Sequence, residues 1–294
     1  MIDIGRVGIW TFQFDQQPMR RAQEAAAELE ELGYGAIWVP EVIGREAFSN
    51  AALLLSGTRR IAIATGIASI YARDALAMAS GHRTLTEAFP DRFLLGLGVS
   101  HAPMVEYVRG HSYGKPVATM RAYLDAMDAA PFMAHGPSAE PARVLAALGP
   151  KMLELAAKRA QGAHPYFVPV EHTLGARKAL GKGPLLAVEQ AVVLATDPSV
   201  ARSVAREHMA TYLALPNYVN NLKRLGFTDE DIEGGGSSRL VDAIVAWGGV
   251  EAAVKRIREH HDAGADHVCV QVLDTDPRAL PLRQWRELAP VLLG

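Results

Sequence analysis

A Gly-Pro-Lys triplet near the middle of the chain is the clearest candidate for binding an anion. Gly149 permits close approach to the backbone, Pro150 suits the first position of a helix, and Lys151 supplies a positive charge. Free amide N–H groups at the start of such a helix stabilise negative charge, which indicates a phosphate site. An ordinary strand-to-helix turn with a solvated Lys151 also accounts for the triplet, because Gly-Pro often precedes a helix.

Three other chemistries have weaker support. No His-x-His pair occurs, and the adjacent His260 and His261 would point in different directions on a helix, so we expect no metal site. Glu41 and Glu189 leave a two-carboxylate glycosidase possible, although an aromatic content of 7% leaves few residues for stacking on sugars. The run 98–102 lacks the last glycine of a Gly-x-Ser-x-Gly nucleophile elbow.

These residues must be positioned by strands that alternate with helices. Eight short apolar runs, each bounded by Gly, Pro or polar residues, predict strands, and stretches of helical period follow them. Apolar strands alternating with helices predict an α/β protein with a parallel sheet, and eight units in 294 residues favour a closed (β/α)8 TIM barrel, one domain over 1–294. The predicted strands are 7–12, 36–40, 61–67, 93–99, 143–148, 163–168, 185–194 and 267–271.

The predicted helices leave one irregular region near the end of the chain. Residues 216–239 show no clear period, and 233–238 resembles a mobile loop inserted between units seven and eight. Such an insertion either covers the active face of the barrel or is a solvated linker. The predicted helices are 22–32, 47–56, 75–88, 117–129, 150–160, 173–180, 199–213 and 250–263.

The composition excludes several classes of partner. Thirty Lys and Arg against 32 Asp and Glu, spread along the chain, give no basic face for nucleic acid. No apolar run is long enough to cross a membrane, and Asp3 and Arg6 do not fit a signal peptide, so we expect a cytoplasmic protein. The single Cys269 lies in an apolar run and is expected in the core.

In a barrel of this type, reacting groups lie at the C-terminal ends of the strands and on the loops that follow. Several polar and aromatic side chains follow the predicted strands directly. They are Trp10, Thr11 and Phe12; Pro40 and Glu41; Gly66, Ile67, Ala68 and Ser69, with Tyr71 and Arg73; Ser100 and His101; Gly149, Pro150 and Lys151; His164, Pro165 and Tyr166.

With these strand ends in place, the sequence resembles the luciferase-like monooxygenase superfamily, and within it the oxidoreductases that use the deazaflavin coenzyme F420. Singly each matching segment is modest, but their order along a barrel is specific. The segments that carry the resemblance are 22–41, 64–74, 91–101, 148–156 and 162–166.

The resemblance implies that a flavin-like tricyclic ring lies at the C-terminal mouth of the barrel. It would rest against a bulge at Gly66 and Ile67, continued by Ala68 and Ser69, and the bond between the first two is expected to be cis. Gly149, Pro150 and Lys151 then correspond to the start of the phosphate-binding helix.

By the same resemblance, several side chains face the cofactor. Glu41 would orient a proton or a substrate group, unless it forms a rim salt bridge. His101, beside Ser100, is the candidate general acid because an imidazole titrates near neutral pH, although it could instead hydrogen-bond only backbone. Arg73 would reach the coenzyme tail, or else cap a helix in solvent.

The substrate side would be lined by Trp10 and Thr11, together with His164 and Tyr166. Trp10 could equally close the end of the barrel, and His164 could be a satisfied core histidine. The substrate itself cannot be read from the sequence.

The leading hypothesis is a hydride-transferring oxidoreductase that binds F420 and acts on a small molecule. An FMN-dependent monooxygenase is the alternative, since both cofactors carry a flavin-like tricycle and a phosphate. A non-catalytic flavin-binding protein is a third possibility. A homodimer is usual in the resembled family and is expected here.

Overall fold

A computed structural model of the protein describes residues 2–294, and its centre is a closed ring of eight parallel strands. The ring runs β10-β1-β2-β3-β5-β6-β7-β8 and closes through pairing of β8 with β10. The prediction of a TIM barrel is therefore confirmed, and each predicted strand run overlaps one strand of the ring, although the run 163–168 shares only Ala163 with its strand. The strands are β1 Val7–Trp10, β2 Ala36–Val39, β3 Ala62–Thr65, β4 Ala68–Ser69, β5 Phe93–Gly98, β6 Arg143–Leu145, β7 Gly162–Ala163, β8 Leu185–Val193, β9 Val245–Trp247 and β10 His267–Val272.

Helices surround the ring because their apolar stripes pack against the outward side chains of the strands. In the first helix, Ala22, Ala25, Ala26 and Leu29 are buried at helical spacing. The helices are α1 Met19–Glu31, α2 Ala47–Ser56, α3 Ala75–Ala88, α4 Pro116–Asp128, α5 Pro150–Arg159, α6 Val170–Leu180, α7 Pro198–Leu213, α8 Pro216–Arg224, α9 Asp229–Ile232, α10 Ser238–Ile244, α11 Val250–Asp262 and α12 Leu282–Leu292.

The segment that follows β3 does not continue as one straight strand. The peptide bond between Gly66 and Ile67 is cis, in agreement with the prediction. After this bulge the short β4 pairs with the end of β5, through Ala68 with Leu97 and Ser69 with Gly98. The bulge thus lies at the C-terminal end of the barrel, where the site was expected.

The segment 233–238, interpreted from the sequence as a mobile loop, contains a 3-10 turn and the first residue of a helix. A 3-10 turn over Glu233–Gly235 leads directly into α10, and the carboxylate of Asp231 holds this segment. Asp231 accepts hydrogen bonds from Ser237 Oγ at 2.7 Å and Arg239 Nη1 at 2.5 Å. The rest of the irregular region is helical, because α8 and α9 occupy most of it.

The insertion after β8 is built onto the sheet. β7 pairs with the first residues of β8, Leu185 and Leu186, whereas β9 pairs with its last residues, from Ala191 to Val193. β10 occupies the other edge of β8, from Ala187 to Val192. Since a strand has only two edges, β7 and β9 share one edge of β8, with β7 along its start and β9 along its end.

Most of the core lies between the strands and the helices, and a second layer fills the ring itself. Inside the ring Trp38 is fully buried and its indole stacks on the imidazole of His164, with ring centroids 4.3 Å apart. Cys269 is also fully buried there, as predicted. Within residues 2–294, none of the helices has both the length and the apolar character that a membrane span requires.

Candidate active site

A cavity of about 600 Å³ opens at the C-terminal ends of the barrel strands. Its walls come from the bulge after β3, the end of β5, the start of α5 and the inserted helix α8, so chain segments distant in sequence meet there. The lining includes Trp10, Phe12, Glu41, Gly66, Ile67, Ser100, His101, Gly149, Pro150, Lys151, His164, Tyr166, Tyr212, Asn217, Tyr218, Asn220 and Arg224.

The bulge forms one wall of the cavity, and a glycine lies on each side of it. A Cβ at Gly66 would lie 2.5 Å from Trp10 Nε1, too close for any real contact. A Cβ at Gly98 would collide with the end of the Ile67 side chain. The two glycines therefore allow Trp10 to pack against the bulge and Ile67 to lie across β5.

Only part of the predicted bulge faces the cavity. Gly66 and Ile67 line it, whereas Ala68 and Ser69 are buried in β4 and do not. The hydroxyl of Ser69 accepts a hydrogen bond from the Tyr71 N–H at 3.3 Å. The expected contact of Ala68 and Ser69 with a cofactor is thus replaced by sheet pairing.

Glu41 reaches the cavity with a carboxylate whose oxygens are already in use. It accepts hydrogen bonds from the N–H groups of Ala47 at 3.1 Å and Ser69 at 2.9 Å. It also forms a bidentate ion pair with Arg73. The side chain of Glu41 is only 5% exposed and that of Arg73 only 11%. The rim salt bridge considered in the sequence analysis is therefore present. Together with the hydrogen bond from Ser69, it connects the loop before α2 to β4 and to the segment that follows it.

Arg73 is therefore not free to reach a coenzyme tail. Besides Glu41 it contacts Glu46 at 2.7 Å, and it does not line the cavity. Its guanidinium lies over the ring of Phe48, 5.1 Å from the centroid. Two carboxylates and an aromatic face hold it in place outside the cavity lining, so this arrangement lends no support to the predicted contact with the coenzyme tail.

Ser100 and His101 both line the cavity after β5. Ser100 has a φ of 56°, a left-handed conformation that turns the chain toward the mouth. The imidazole of His101 lies 3.1 Å from Asn217 Oδ1 through Nδ1. Since that oxygen only accepts, Nδ1 donates and Nε2 is left as the acceptor nitrogen.

Burial lowers the pKa of His101, and the hydrogen bond to Asn217 opposes the shift. The neutral imidazole is therefore the main form at neutral pH, with its free nitrogen able to take up a proton. This arrangement suits a proton acceptor better than the general acid predicted from the sequence.

The start of α5 carries the predicted anion site. Gly149 is the extended N-cap and Pro150 the first helical residue. The N–H of Met152 turns back to the carbonyl of Gly149 at 3.1 Å, whereas no backbone carbonyl of residues 2–294 accepts from the N–H of Lys151. One amide and the positive end of the helix dipole therefore face the cavity.

Arg224 joins this site from α8 and was missed from the sequence. Its Nη2 lies 3.6 Å from the position that a Cβ of Gly149 would take, and it donates to Asn221 Oδ1 at 3.0 Å. No carboxylate of the described chain forms an ion pair with Arg224 or Lys151. Two cations thus converge on one helix start, which suits a phosphate.

The face of α8 that lines the cavity follows a helical spacing. Asn217, Asn220 and Arg224 are exposed at steps of three and four, while Tyr218 and Leu222 are buried on the other side. This pattern, with Pro216 at the first helical position, was the signal that could have identified the helix.

Trp10 and Thr11 have different surroundings despite their adjacency. Trp10 is 2% exposed, lines the cavity and packs edge-on against Phe12, with centroids 4.5 Å apart. Thr11 points away from the cavity, where its hydroxyl donates to Gln13 Oε1 at 2.7 Å. Thr11 therefore lies outside the cavity lining, which lends no support to the predicted contact with a substrate.

His164 and Tyr166 both line the cavity from the segment after β7. His164 is 1% exposed, and burial, as the main cause, lowers its pKa to about 4. Tyr166 donates to Gln271 Oε1 at 2.8 Å and lies 2.7 Å from the hydroxyl of Tyr212. His164 is thus a core histidine and a cavity residue at once.

Below this tyrosine pair a single carboxyl lies inside the ring. Glu189 on β8 is 2% exposed and accepts from the N–H of Phe167 at 3.0 Å through one oxygen. Burial raises its pKa to about 8, so it is mainly protonated at neutral pH. Glu41 and Glu189 therefore do not form the exposed carboxylate pair of a glycosidase.

The chain's family follows from the sequence as a whole. The sequence profile described as luciferase-like monooxygenase matches residues 6–267, which run from just before β1 to the first residue of β10. The chain belongs to this family. The (β/α)8 ring agrees with that membership.

Curated relatives match over part of their length. A Mycobacterium tuberculosis protein, provisionally named a coenzyme F420-dependent oxidoreductase, is 31% identical over 120 residues, or 41% of this chain and 35% of that protein. The 5,10-methylenetetrahydromethanopterin reductase of Methanolobus tindarius is 27% identical over 192 residues, 57% of this chain and 58% of that protein. The chain thus matches about a third to somewhat over half of the length of these relatives.

Solved structures share the fold over nearly the whole chain. The coenzyme F420-dependent tetrahydromethanopterin reductase from Methanopyrus kandleri matches with a TM-score of 0.76 and 17% identity over 99% of both chains. The oxygenating constituent of 3,6-diketocamphane monooxygenase from Pseudomonas putida, in complex with FMN, matches with a TM-score of 0.69 and 17% identity over 98% of both chains. At these identities the likeness concerns the fold.

Proposed function

We propose that this protein is a coenzyme F420-dependent oxidoreductase that exchanges a hydride between the deazaflavin and a small organic substrate. One observation carries the proposal: a single cavity joins the bulge at Gly66 and Ile67 to a cationic helix start at Gly149–Lys151 and Arg224. A planar apolar ring fits the first feature, and a phosphate fits the second. The names of the curated relatives support F420 as the cofactor.

The residues present fit such a cofactor. Ile67 and the backbone of Gly66 would support the ring, and Ser100 would contact it from the end of β5. Lys151, Arg224 and the Lys151 N–H would hold the phosphate, because charge-assisted bonds to phosphate are strong. When bound, F420 supplies a ring carbon that accepts or gives up a hydride.

The protein's own groups would then control water and protons. Tyr212 and Tyr218, both about nine-tenths buried, line the cavity from the inserted helices. His101 lies half-buried at the mouth, so its free nitrogen would pass a proton between the cavity and solvent. Glu41 acts as a positioning residue, since its ion pair with Arg73 fixes the rim.

An FMN-dependent monooxygenase is the second candidate. One fold neighbour is a monooxygenase with FMN bound, and FMN also combines a tricyclic ring with a phosphate. A flavin-binding protein without turnover is the third. These candidates differ in the cofactor bound and in whether the bound cofactor is consumed.

Titration of the purified protein with F420 and with FMN, followed by tryptophan fluorescence, tests the proposal. We expect F420 to bind more tightly than FMN, and Arg224→Ala and Lys151→Ala each to weaken F420 binding about tenfold. Lys158→Ala, which removes an exposed lysine from the last turn of the same helix, is the matched control and should bind F420 normally.

Tighter binding of FMN than of F420 would favour the monooxygenase. Equal binding by the Arg224→Ala protein would show that the phosphate lies elsewhere. If F420 binds but its reduced form is never oxidised by any member of a carbonyl panel, the carrier becomes the better description.

A further inference from the structure

The carbonyl group that precedes the anion site is held by a histidine that lies outside the cavity lining. His172, in the first turn of α6, is 5% exposed, and its Nε2 lies 2.8 Å from the carbonyl oxygen of Leu148. Leu148 and Gly149 line the cavity, whereas His172 does not. The carbonyl of Leu148 therefore points away from the cavity, toward α6.

The direction of this carbonyl also fixes the amide group of the same peptide. The peptide bond between Leu148 and Gly149 is trans, and the C=O and N–H groups of a trans peptide point in opposite directions. The N–H of Gly149 is thus aimed into the cavity, and no backbone carbonyl of residues 2–294 accepts from it. Because Pro150 has no N–H, Gly149 and Lys151 supply the first two amide donors at the start of α5.

The imidazole of His172 can hold the carbonyl in only one tautomer. A carbonyl oxygen only accepts, so Nε2 carries the proton. Nδ1 is buried without a partner in the described part of the chain, so a proton on that nitrogen would gain no hydrogen bond. Burial is the main cause that lowers the pKa of His172, while the bond to Leu148 raises it and the charge of Arg224 lowers it. The neutral ring with its proton on Nε2 is therefore the form present at neutral pH.

Glycine at position 149 gives this hydrogen bond a task beyond packing. Gly149 has a φ of -90° in the observed orientation. A flip of the preceding peptide would bring φ to about +90°, which glycine tolerates and other residues rarely adopt. The flipped peptide would turn the partial negative charge of the Leu148 carbonyl toward a bound anion. The hydrogen bond from His172 stabilises the orientation that presents the N–H instead.

We propose that His172 is a positioning residue of the anion site, because its hydrogen bond to Leu148 holds the Gly149 N–H toward a bound phosphate group. The inference rests on the proposed function only in taking this phosphate to be that of the cofactor. The Lys151 N–H and the guanidinium of Arg224 complete the donors around one anion, since Arg224 Nη2 lies 3.6 Å from the position of a Gly149 Cβ. His172 acts on the anion only through the backbone.

The test observes this peptide directly by NMR, with carbon-13 at the carbonyl of leucine and nitrogen-15 in glycine. Only Leu-Gly pairs then give a correlated signal. The volume-conserving change Leu148→Met identifies the signal of residues 148–149 by its loss. Inorganic phosphate is titrated into the purified protein at constant pH and ionic strength. We expect it to shift the Gly149 N–H signal in a saturable manner.

Substitutions separate the hydrogen bond of His172 from its packing. His172→Phe keeps a planar ring and removes the donor, so phosphate should bind about tenfold more weakly and the shift of Gly149 should shrink. His172→Asn, whose amide is too short to reach the carbonyl, is a second variant with the same expected loss. His172→Gln keeps a donor of sufficient reach, so its affinity should stay within about twofold of that of the parent protein.

A matched control comes from another buried histidine. His82 is 4% exposed, and its Nε2 lies 2.9 Å from the carbonyl oxygen of Ala142, outside this cavity. His82→Phe removes the same kind of hydrogen bond at a distant place. This variant should bind phosphate as the parent protein does.

Phosphate binding of parental strength in His172→Phe or His172→Asn would overturn the inference. Weakened binding that His172→Gln does not restore would also overturn it, since packing alone would then account for the loss. A Gly149 signal that phosphate does not move in the parent protein would do the same, even if no variant folds.

F420 is titrated separately into the same samples. A shift of Gly149 by phosphate without any binding of F420 would uphold the role of His172 while rejecting the proposed function. Binding of F420 that leaves the Gly149 signal in place would reject the role of His172 and leave the proposed function standing.

Discussion

The acid-base character of a side chain in this barrel depends on which atoms surround it. Glu41 follows β2, and Glu189 lies within β8. Glu41 forms an ion pair with Arg73, whereas Glu189 is buried and accepts a hydrogen bond from a single N–H. Arg73 pairs with the first, whereas burial raises the pKa of the second to about 8. Neither state can be read from the spacing of residues along the chain.

Glu189 gives a pH dependence whose sign is fixed. In the unfolded chain its carboxyl ionises near its ordinary pKa of 4.5, whereas in the folded protein the pKa is about 8. Between these values the folded state holds the extra proton, so stability is lost as the pH rises. The free energy of unfolding should fall by roughly 1.4 kcal/mol per pH unit from this group.

Glu189→Gln should remove this loss. We expect the variant to gain stability over the parent protein as the pH is raised from 5 to 8, measured by urea unfolding at each pH. Glu154→Gln alters an exposed glutamate on α5 and should leave the pH profile unchanged. Parallel profiles for the parent and the Glu189→Gln protein would contradict the assignment of a buried neutral carboxyl.

At the scale of elements, α8 is the piece that completes the site. It contributes Asn217 to His101 and Arg224 to the start of α5, and it is anchored by one aromatic side chain. Tyr218 is 7% exposed and its ring contacts those of Tyr212 and Phe167, with centroids 5.2 Å and 5.4 Å away. The anchor lies outside the barrel ring, so the helix can loosen while the ring stays folded.

Tyr218→Ala should loosen α8 selectively. Hydrogen exchange of the backbone amides in 216–224 should accelerate about tenfold or more, because the buried aromatic contacts are lost. Amides of β1 to β3 should keep their protection. Tyr107→Ala is the control, since Tyr107 is 85% exposed, and uniform acceleration across the ring would show that α8 is not a separate unit.

The sequence predicted the ring but not this helix, and the reason is physical. Strands such as Ala36–Val39 and Phe93–Gly98 are buried on both faces, which leaves a continuous apolar run that can be recognised locally. α8 has only a few apolar side chains, and its polar face is turned to a ligand site. Its buried apolar side chains are only Tyr218 and Leu222, so the spacing of its polar residues was the remaining local signal.

The same distinction explains the site residues. The segment 149–151 and His164 were predicted because a barrel places strand ends at one face, whereas the bulge was implied by the family resemblance. The side-chain contacts of Arg73 and Thr11 could not be predicted. Arg73 binds Glu41 and Thr11 binds Gln13, and the orientation of these partners depends on the folded chain. Arg224 was missed because its helix was missed.

At the scale of the whole molecule, the cavity joins elements from the first strand to the insertion. A ligand held there contacts both the ring and α8, so binding must stabilise the folded state by mass action. If the proposed function is correct, F420 at about one hundred times its dissociation constant should raise the free energy of unfolding by about 2.7 kcal/mol. The gain is measurable as a rise in melting temperature.

The dependence of this gain on the cationic site checks the geometry. Arg224→Ala should reduce the rise at a fixed F420 concentration, while Lys158→Ala should leave it intact. A full rise in the Arg224→Ala protein would mean that the stabilising contact does not involve α8.

The pairing of β9 with the end of β8 also makes the inserted segment 194–244 a unit that can be exchanged. Residues 194–244 leave the sheet after Val193, which pairs with Trp247, and re-enter it at Val245, which pairs with Ala191. Neighbouring strands lie about 4.8 Å apart, so a grafted segment of different length would meet the same two anchor points. Selectivity could then be redesigned by transplanting that stretch alone, with the ring beneath left unaltered.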